Sequence, residues 1–466
     1  MSYRLTRRQM LQATGALTAG AFLAACTGTW APAPQAAEGQ DEAQAPAAGA
    51  TEVVLMYQAN EISDPEIAAF NEEYAPIKVT RVDVDTTRFY AMFASGEAPD
   101  LLRVQAPAIP QMLARSMLLN LQSYFETSEV LKLDDLTDVN NYYRASDPMA
   151  IGEGDLYGMV KDWAPDAFLW VNELVFEKAG VDAPDLSTPV DGNDVGELAR
   201  AITTRTGDQV QTIGFDTATG FIDRYWMMLA KSAGGQLYTD DFSAIQVAGN
   251  EPIVEAIKFF YDLAADGAMT SPLAPSPAWF GPDFAAGRLG MVWTGYWFHG
   301  FVVSDPTEEF QQGVEEGKVK MYPCFTWHGE RRNQCVTATG AIVSAQTKNP
   351  DAAWTVFEWF MGKEPAQNRA KSGWGLPGLK SLYDLLPKEG TLSSQAWATI
   401  QEEMPYAGEV LQFNPYLAGG EPMVPGNVYL TNLESALKGE MSFDDLLARI
   451  ESETNVAIQE GKERVS

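Results

Sequence analysis

The stretch TEVVLMYQANEISDPEIAAFNEEYAPIKVTRVDV, residues 51–84, decides the fold class of this chain. Residues 51–57 form a short apolar run rich in β-branched side chains, which predicts a buried strand. Residues 64–74 have apolar positions at helical spacing behind Asp64, which is a suitable N-cap. Residues 77–84 predict a second strand. A strand, a helix and a strand of these lengths form a βαβ unit, which indicates a parallel sheet and an α/β fold.

The composition of the chain limits its function. It has 466 residues, 46% of them hydrophobic, which suits two or three folded domains. Its net charge of −31 repels phosphate backbones, so we expect no nucleic-acid partner. Two histidines and three cysteines are too few for a zinc cluster. The sequence has no nucleophile motif and no glycine-rich phosphate loop, so we expect no catalytic residue, no metal and no cofactor.

The first 25 residues have the form of an export signal. Arg7 and Arg8 precede an apolar stretch, residues 13–25, which is too short to span a bilayer. The segment TRRQML around the two arginines resembles the twin-arginine signal, and LAAC, which ends at Cys26, resembles the lipobox of bacterial lipoproteins. This resemblance implies cleavage before Cys26 and acylation of its thiol. We therefore expect an exported protein, anchored by one lipid to the outer face of the cell membrane.

Residues 26–51 are predicted to form the lipidated cysteine and a tether. They are rich in Ala, Pro, Gln and Gly and show no hydrophobic period, which is typical of a disordered linker. As a coil, such a segment reaches on the order of 25–30 Å. The tether would hold a folded body near the membrane but clear of it.

Two further cysteines, Cys324 and Cys335, flank a predicted hairpin. A type II′ turn with Gly329 and Glu330 at its centre would place one cysteine directly opposite the other. Because exported proteins tolerate disulfides, we expect a structural bridge between Cys324 and Cys335.

Short motifs along the rest of the chain follow an order typical of one family. They are SGEAPDL at 95–101, YGMV at 157–160, WVNELVFEKAG at 170–180, FAAGRLGMVWTGYW at 284–297 and KNPDAAW at 348–354. Together they resemble the extracellular solute-binding proteins of ABC importers, the sugar-binding type that includes the maltose-binding protein. The resemblance spans residues 52–460, and Val160 stands where that family usually has proline.

The resemblance implies a two-lobed α/β fold of the periplasmic-binding-protein class (type II), with a cleft between the lobes and a hinge. It predicts that the chain crosses between the lobes at three places, namely near residues 160–166, 293–297 and 344–348. Lobe 1 would then comprise residues 52–161 and 295–346. Lobe 2 would comprise residues 162–294 and 347–466. Closure of the lobes about the hinge would trap the ligand.

Polar residues that follow predicted strands are candidates for ligand binding. In parallel sheets, ligands bind beyond the carboxyl ends of the strands. Gln58, Asn60 and Glu61 follow the first strand, and Gln105 follows the third.

Aromatic residues are the second group of candidates, because flat rings stack on the C–H face of a pyranose. The resemblance places an aromatic platform at Gly295, Tyr296 and Trp297. Further candidates lie at the first crossing or in segments bounded by Gly and Pro, namely Asp162, Trp163, Trp279 and Trp374. Tyr225 and Trp226 fit a ligand site or a helix core equally well. Three tryptophans on predicted helices are assigned to the core, namely Trp354, Trp359 and Trp397.

These features lead to one functional hypothesis and several alternatives. The hypothesis is a monomeric, lipid-anchored receptor that captures a carbohydrate and delivers it to the membrane permease of an ABC importer. A binding protein for another polar solute, such as a polyol phosphate or a peptide, is the first alternative. An extracellular glycan-cleaving enzyme that uses two carboxylates is the second. A surface sensing or adhesion protein is a third, weaker alternative.

Overall fold

The first strand, helix and strand form the predicted βαβ unit. Strand β1 (Thr51–Met56) pairs in parallel with β2 (Ile77–Val82) along its whole length. Helix α1 (Asp64–Glu73) joins them, and its N-cap is Ser63, one residue before the predicted Asp64. The Ser63 backbone N–H donates to the Glu66 carboxylate at 2.8 Å, while the Glu66 backbone N–H donates to the Ser63 hydroxyl at 3.4 Å. This capping box fixes where the helix begins.

The computed structural model describes residues 49–465 apart from 149, 208, 277–278, 409 and 418–423. The predicted signal, Cys26 and nearly all of the predicted tether lie outside the described residues. The other described strands are β3 (Leu101–Val104), β4 (Arg144–Ala145), β5 (Asp155–Leu156), β6 (Gly158–Trp163), β7 (Phe168–Asn172), β8 (Thr204–Thr206), β9 (Gln209–Thr217), β10 (Leu289–Thr294), β11 (Val319–Tyr322), β12 (Thr339–Val343) and β13 (Leu376–Pro377).

The remaining described helices are α2 (Thr86–Ser95), α3 (Ile109–Ala114), α4 (Gln122–Thr127), α5 (Glu173–Ala179), α6 (Gly192–Ile202), α7 (Ile222–Ser232), α8 (Glu251–Ala265), α9 (Phe280–Ala285), α10 (Phe298–Ser304), α11 (Glu308–Glu315), α12 (Pro350–Gly362), α13 (Glu364–Ser372), α14 (Thr391–Glu403), α15 (Val424–Leu437) and α16 (Phe443–Val465). Within the described part of the chain, no helix combines the length and the apolarity that a membrane span needs.

Two sheets organise the body of the protein. The first has six strands in the order β13-β6-β12-β3-β1-β2, and the second has five in the order β11-β7-β10-β9-β8. Helices α1, α12 and α13 pack on the first sheet, whereas α5, α6, α9, α11 and α14 pack on the second. We call the first sheet with its helices lobe 1 and the second sheet with its helices lobe 2. The predicted two-lobed α/β class is confirmed.

The chain crosses between the lobes at places that differ from two of the three predictions. Strands β6 and β7 lie in different sheets, so the first crossing is residues 164–167, close to the predicted 160–166. Strands β10 and β11 both lie in lobe 2, so the chain does not cross at 293–297, and the second crossing is residues 323–338. Helix α12 packs against β1 and β12, so the chain stays in lobe 1 at 344–348. The third crossing lies between β13 and α14.

The predicted lobe boundaries are therefore wrong after residue 294. Residues 295–322 belong with lobe 2, because Phe298 of α10 packs its ring on Phe280 and Phe284 of α9 and β11 pairs with β7. Helices α12 and α13 belong with lobe 1, because their apolar faces pack in the cluster that contains the residues of β1. Helix α14 returns to lobe 2, where it contacts β11.

The predicted disulfide is also wrong, since Cys324 and Cys335 are both free and buried. The turn has His328 and Gly329 at its centre, both with positive φ (52° and 75°). Two positive φ values are the mark of a type I′ turn. This turn lies one residue earlier than predicted, and a shift of one residue removes one cysteine from the position opposite the other.

We expect chemical analysis to find two thiols at these positions. The Cys324 thiol donates to the Arg332 carbonyl at 3.1 Å, and the Cys335 sulfur accepts from the Ala338 backbone N–H at 3.2 Å. In denaturant without reductant, a thiol reagent should therefore label both Cys324 and Cys335, as peptide mass mapping would show. A Cys324–Cys335 cross-linked peptide that appears only without reductant would contradict this structure.

The first two crossings are held together by a buried carboxylate. Asp166 Oδ2 accepts from the Val336 N–H at 2.7 Å, the Thr337 N–H at 3.2 Å and the Thr337 hydroxyl at 3.1 Å. Asn333 Oδ1 accepts from the Ala167 N–H at 2.7 Å. Burial raises the pKa of Asp166 to about 6, although these hydrogen bonds oppose the shift. The hinge is thus a pair of segments joined by side-chain hydrogen bonds.

Candidate functional site

Four charged side chains meet at the edge of lobe 1 that faces lobe 2. We call Glu61, Arg103, Lys161 and Asp162 the charged cluster. Glu61 accepts from Arg103 Nε at 2.6 Å and from Arg103 Nη2 at 3.2 Å, and it also pairs with Lys161 Nζ at 3.0 Å. Lys161 pairs with Asp162 as well. Of the predicted site residues, the structure therefore brings Glu61 and Asp162 together through a shared lysine.

A bulge in β6 creates this arrangement. Val160 lies opposite Gly340 and Asp162 lies opposite Thr339, so Lys161 is an extra residue in the ladder. A bulge of this kind re-aims the side chains that follow it. Asp162 pairs with Lys161, which also pairs with Glu61, and the next side chain, Trp163, points to the opposite face of the sheet.

The contacts within the cluster shift the pKa values of Glu61 and Arg103. Burial alone would raise the pKa of Glu61, but Lys161 and Arg103 lower it to about 2. Burial tends to lower the pKa of Arg103, and Glu61 outweighs that effect and raises it. Glu61 and Arg103 are therefore charged hydrogen-bonding groups at neutral pH, fixed in place by their mutual contact.

Arg369 of α13 adds donors near the same edge. Its Nη2 donates to the Phe360 carbonyl at 2.7 Å, and the guanidinium lies 4.3 Å from the centre of the Phe360 ring. Its Nε and Nη1 atoms are enclosed and lack a protein partner among the described residues. Burial lowers the pKa of Arg369, although Tyr57 and Asp162 oppose this shift. Buried donors without a partner are costly, so Arg369 adds an enclosed positive charge to this edge at the expense of two unmade hydrogen bonds.

Trp374 links the charged cluster to lobe 2. The next residue, Gly375, packs on Asp162, because a Cβ built on this glycine would lie 3.0 Å from Asp162 Cβ. The Trp374 ring covers Gly300 of α10, where a Cβ would lie only 2.6 Å from the ring. Trp374 keeps 40% of its surface exposed. One tryptophan from lobe 1 thus lies over a lobe 2 helix beside the charged cluster.

Two more tryptophans continue this surface on lobe 2. Trp297 is the N-cap of α10 and is half-buried, and its ring lies 6.4 Å from that of Trp279. Trp279 contacts Phe301 at 4.8 Å and keeps 44% of its surface exposed. We call Trp279, Trp297 and Trp374 the aromatic cluster. Exposed indole faces beside fixed charges are what a ring with one apolar face and polar edges requires.

The other predicted polar residues, Gln58, Asn60 and Gln105, have different environments. Gln105 Oε1 accepts from Arg224 Nη1 at 3.4 Å, and Arg224 also donates to the Val336 carbonyl at 2.7 Å. This contact joins lobe 1, lobe 2 and the second crossing. Gln58 is half-buried and Asn60 is exposed, both in the loop that leads to Glu61.

Four predicted site residues are structural. Tyr225 and Trp226 are almost fully buried, against Trp293 and Tyr429 respectively, because α7 packs both faces in the lobe 2 core. Tyr296 is 1% exposed and is stacked on a buried histidine, so it does not share the surface of Trp297. Gly295 is packed on Asp166 and has no room for a side chain. We remove these four residues from the candidate site.

Trp163 belongs to a different space, a cavity of about 1320 Å³ lined by both lobes. We call it the rear chamber, because Trp163 and Asp162 point to opposite faces of β6. Its aromatic lining residues are Tyr142, Trp163, Tyr238, Phe242, Tyr383 and Trp397. Trp397 was assigned to the core by sequence, but its side chain is only half-buried and faces this space.

Sequence reasoning missed three charged residues of the site, namely Arg103, Lys161 and Arg369. A signal existed for two of them. Arg103 interrupts the apolar run of a buried strand, and Lys161 stands beside Asp162 in another. Charges in buried strands are rare unless they are paired, so each indicated a partner. Arg369 lies on a polar helix, and no local pattern separates it from a solvated arginine. The described residues contain no group of His, Cys, Asp and Glu arranged to hold a metal.

The chain is similar to bacterial solute-binding proteins in both sequence and fold. The sequence matches the model of the family described as bacterial extracellular solute-binding protein over residues 14–367. Comparison with curated proteins gives no match. Among solved structures, an ABC substrate-binding protein from Listeria monocytogenes in complex with cycloalternan has a TM-score of 0.71 and 18% identity, covering 88% of this chain and 99% of that one.

Two further solved structures are similar over the same extent. A solute-binding protein of an ABC transporter from Thermotoga lettingae, bound with α-D-tagatose, has a TM-score of 0.66 and 18% identity and covers 87% of this chain and 99% of that one. An ABC transporter-associated binding protein from B. animalis subsp. lactis, in complex with β-1,6-galactobiose, has a TM-score of 0.64 and 18% identity, with coverage of 89% and 98%. At this identity the similarity establishes the fold.

Proposed function

Because this chain belongs to the family of bacterial extracellular solute-binding proteins, we propose that it captures a carbohydrate between its lobes and delivers it to the membrane permease of an ABC importer. The observation that carries the proposal is the aromatic cluster beside the charged cluster on the facing edges of the two lobes. This family is one of binding proteins, so the glycan-cleaving enzyme is set aside.

The chemistry of the site suits a pyranose better than the alternatives. Indole rings accept the C–H face of a sugar, while carboxylates accept and guanidinium N–H groups donate hydrogen bonds to its hydroxyls. The Glu61 and Asp162 side chains, which are 13% and 20% exposed, would accept hydrogen bonds from these hydroxyls. A polyol phosphate would bring a dianion next to these carboxylates. The sugars bound by the solved structures support the same choice.

Lobe closure would complete the site. Trp374 comes from lobe 1, whereas Trp297 and Trp279 come from lobe 2, so a ligand held by all three contacts both lobes. The Gln105–Arg224 contact crosses between the lobes at the second crossing. A ligand that binds the closed form more tightly than the open form shifts the equilibrium towards the closed form. The size of the shift equals the difference between the two binding free energies.

A thermal-shift screen followed by calorimetry tests the proposal. The panel contains mono- and oligosaccharides, a polyol phosphate, amino acids and short peptides. A sugar present at about a hundred times its Kd should stabilise the protein by about 2.7 kcal/mol through mass action, which a melting curve resolves. Stabilisation by the peptides or the polyol phosphate alone would contradict the carbohydrate proposal and leave the binding-protein family intact.

We further propose that the protein is exported by its twin-arginine signal and anchored through Cys26. The family is extracellular, and the LAAC segment supports acylation of this thiol. Two signals at this spacing support a lipoprotein more strongly than either signal alone. The anchor would keep the lobes close to the permease.

The Cys26→Ala variant should be released from the membrane. Without the acceptor thiol no lipid is attached, and among the residues that the structure describes no helix is long and apolar enough to hold the protein in the membrane. Cell fractionation with incorporation of labelled palmitate checks this result, and the Cys324→Ala variant is the matched control. An unchanged membrane fraction for Cys26→Ala would exclude the anchor.

A further inference from the structure

The rear chamber lies behind the crossing segments, away from the charged and aromatic clusters. Consecutive residues of β6 make the separation, because Asp162 belongs to the charged cluster and Trp163 lines the chamber. The second crossing contributes Cys335 to the chamber wall, while its neighbour Val336 accepts from Arg224 on the side of Gln105. The chamber and the proposed sugar site are therefore two spaces divided by the hinge.

Both lobes build this chamber. Lobe 1 contributes Tyr142, Trp163 and Tyr383, and lobe 2 contributes Tyr238 and Trp397. A volume of about 1320 Å³ exceeds the 300–1,000 Å³ that is usual for small-molecule pockets. The space is large enough for an elongated solute of more than one ring.

The chamber lining has rings on its walls and hydrogen-bonding groups around them. Trp397 is half-buried, and its ring lies 6.4 Å from Tyr383 and 4.6 Å from Lys388 Nζ. Polar side chains that also face the chamber are Asn141, Gln236, Gln401 and Gln412. Cationic and acidic lining residues occur together, namely Lys231, Lys380, Asp138, Glu153 and Asp240. Mixed charges favour neither an anion nor a cation, while rings and amides suit a neutral ring with hydroxyl groups.

We propose that the rear chamber is a second binding site of this protein, which takes an uncharged ring compound with a flat apolar face and a hydroxylated rim. An oligosaccharide and an aryl glycoside share this chemistry. The site is independent of the proposed sugar site, since no residue of the charged or aromatic cluster lines it. Because both lobes line it, its occupancy is linked to the angle between them.

Calorimetry with two probes, maltotriose and phenyl β-D-glucoside, measures how many sites the protein has. Variants in each space then show where each probe binds. Trp397→Leu removes a ring from the rear chamber, and Trp297→Leu is the matched change in the aromatic cluster. We expect at least one probe to bind at a site whose Kd rises tenfold or more in Trp397→Leu and stays within twofold in Trp297→Leu. If only maltotriose binds at this site, the ligand of the chamber is an oligosaccharide. If only the phenyl glucoside binds there, the ligand is an aryl glycoside.

A second variant, which fills the chamber with a larger side chain, controls for a folding defect in Trp397→Leu. Ala407 lines the chamber, so Ala407→Phe should occupy space without removing a lining group, and it should abolish the same binding event. Unchanged melting curves without probe show that both variants fold. The proposal is overturned if neither Trp397→Leu nor Ala407→Phe changes the binding of either probe, whatever Trp297→Leu does. A loss seen only in Trp297→Leu would leave the proposed function intact.

Cysteine labelling reports on the same space within the unaltered protein. Cys335 lines the chamber and Cys324 does not, although both are buried. N-ethylmaleimide should label Cys335 faster than Cys324, and saturating probe should slow only Cys335, by fivefold or more. Equal labelling of both thiols, or no protection by a probe that binds, would contradict occupancy of the chamber.

Discussion

The Trp297→Ala variant should bind its sugar roughly thirty-fold more weakly than the unaltered protein. A central ring that is buried by ligand contributes about 2 kcal/mol in comparable interfaces, and each 1.4 kcal/mol changes Kd about tenfold. Trp297 begins α10 and lies beside Trp279, so its removal takes away one stacking face and loosens a second. Isothermal titration with the sugar that gives the largest thermal shift measures the change.

Two further variants make this result specific. Trp297→Phe keeps an aromatic face and should recover part of the lost affinity. Trp354→Ala removes an indole of lobe 1 that packs on Tyr124 and Phe125 of α4, outside both clusters. It should lower the melting temperature and leave Kd unchanged. Equal affinities of Trp297→Ala and the unaltered protein would remove Trp297 from the proposed site.

Replacing Glu61 by glutamine should reduce the free energy of unfolding by about 3 kcal/mol, because removal of one partner leaves buried charges uncompensated. The side chains of Glu61, Arg103 and Lys161 are 13%, 17% and 3% exposed. Two cations would lose their shared counter-ion, and Asp162 would compensate only Lys161. Thermal or denaturant unfolding at pH 7 measures the difference. If the free energy of unfolding fell by no more than the loss of an exposed ion pair causes, the charged cluster would not be buried.

The Glu61→Gln effect should depend on pH with a definite sign. The pKa of Glu61 is about 2 in the folded protein, below the roughly 4.3 of an unfolded glutamate. Its contribution is therefore fully present above about pH 5 and is lost as the pH falls towards 2. The two proteins should differ most at neutral pH and converge in acid. At pH 7, Glu197→Gln, which breaks an exposed pair with Arg200, should change the free energy of unfolding several-fold less.

Much of the fold was predictable because its signals are local. The βαβ unit follows from periodicity within residues 51–84, and the helix that ends at Gly180 follows from one motif. The lobe assignment after β10 failed because two short helices keep the chain in lobe 2 until β11. The place of these helices is set by contacts of α10 with α9 and of α11 with β11 and α14, which no local pattern reveals.

The candidate site was predictable in part. Glu61, Asp162, Trp279, Trp297 and Trp374 come together, and their role in binding stays a prediction. Tyr225 and Trp226 could not be assigned, because a buried helix presents aromatic residues on more than one face. Arg369 was missed because the groups that relate it to the site, Tyr57 and Asp162, lie far away in sequence.

The sequence by itself determined the family, the α/β class and the presence of exposed tryptophans beside strand ends, since motif order and residue periodicity need no knowledge of distant contacts. Only the tertiary structure decided three other features. The bulge at Lys161 shifted Asp162 and Trp163 by one position relative to β12, the turn at His328 and Gly329 moved the two cysteines out of register, and the crossings brought both lobes around the rear chamber. The physical reason is that strand register and the packing of one lobe against another depend on contacts between separate segments, which the local pattern of residues does not specify.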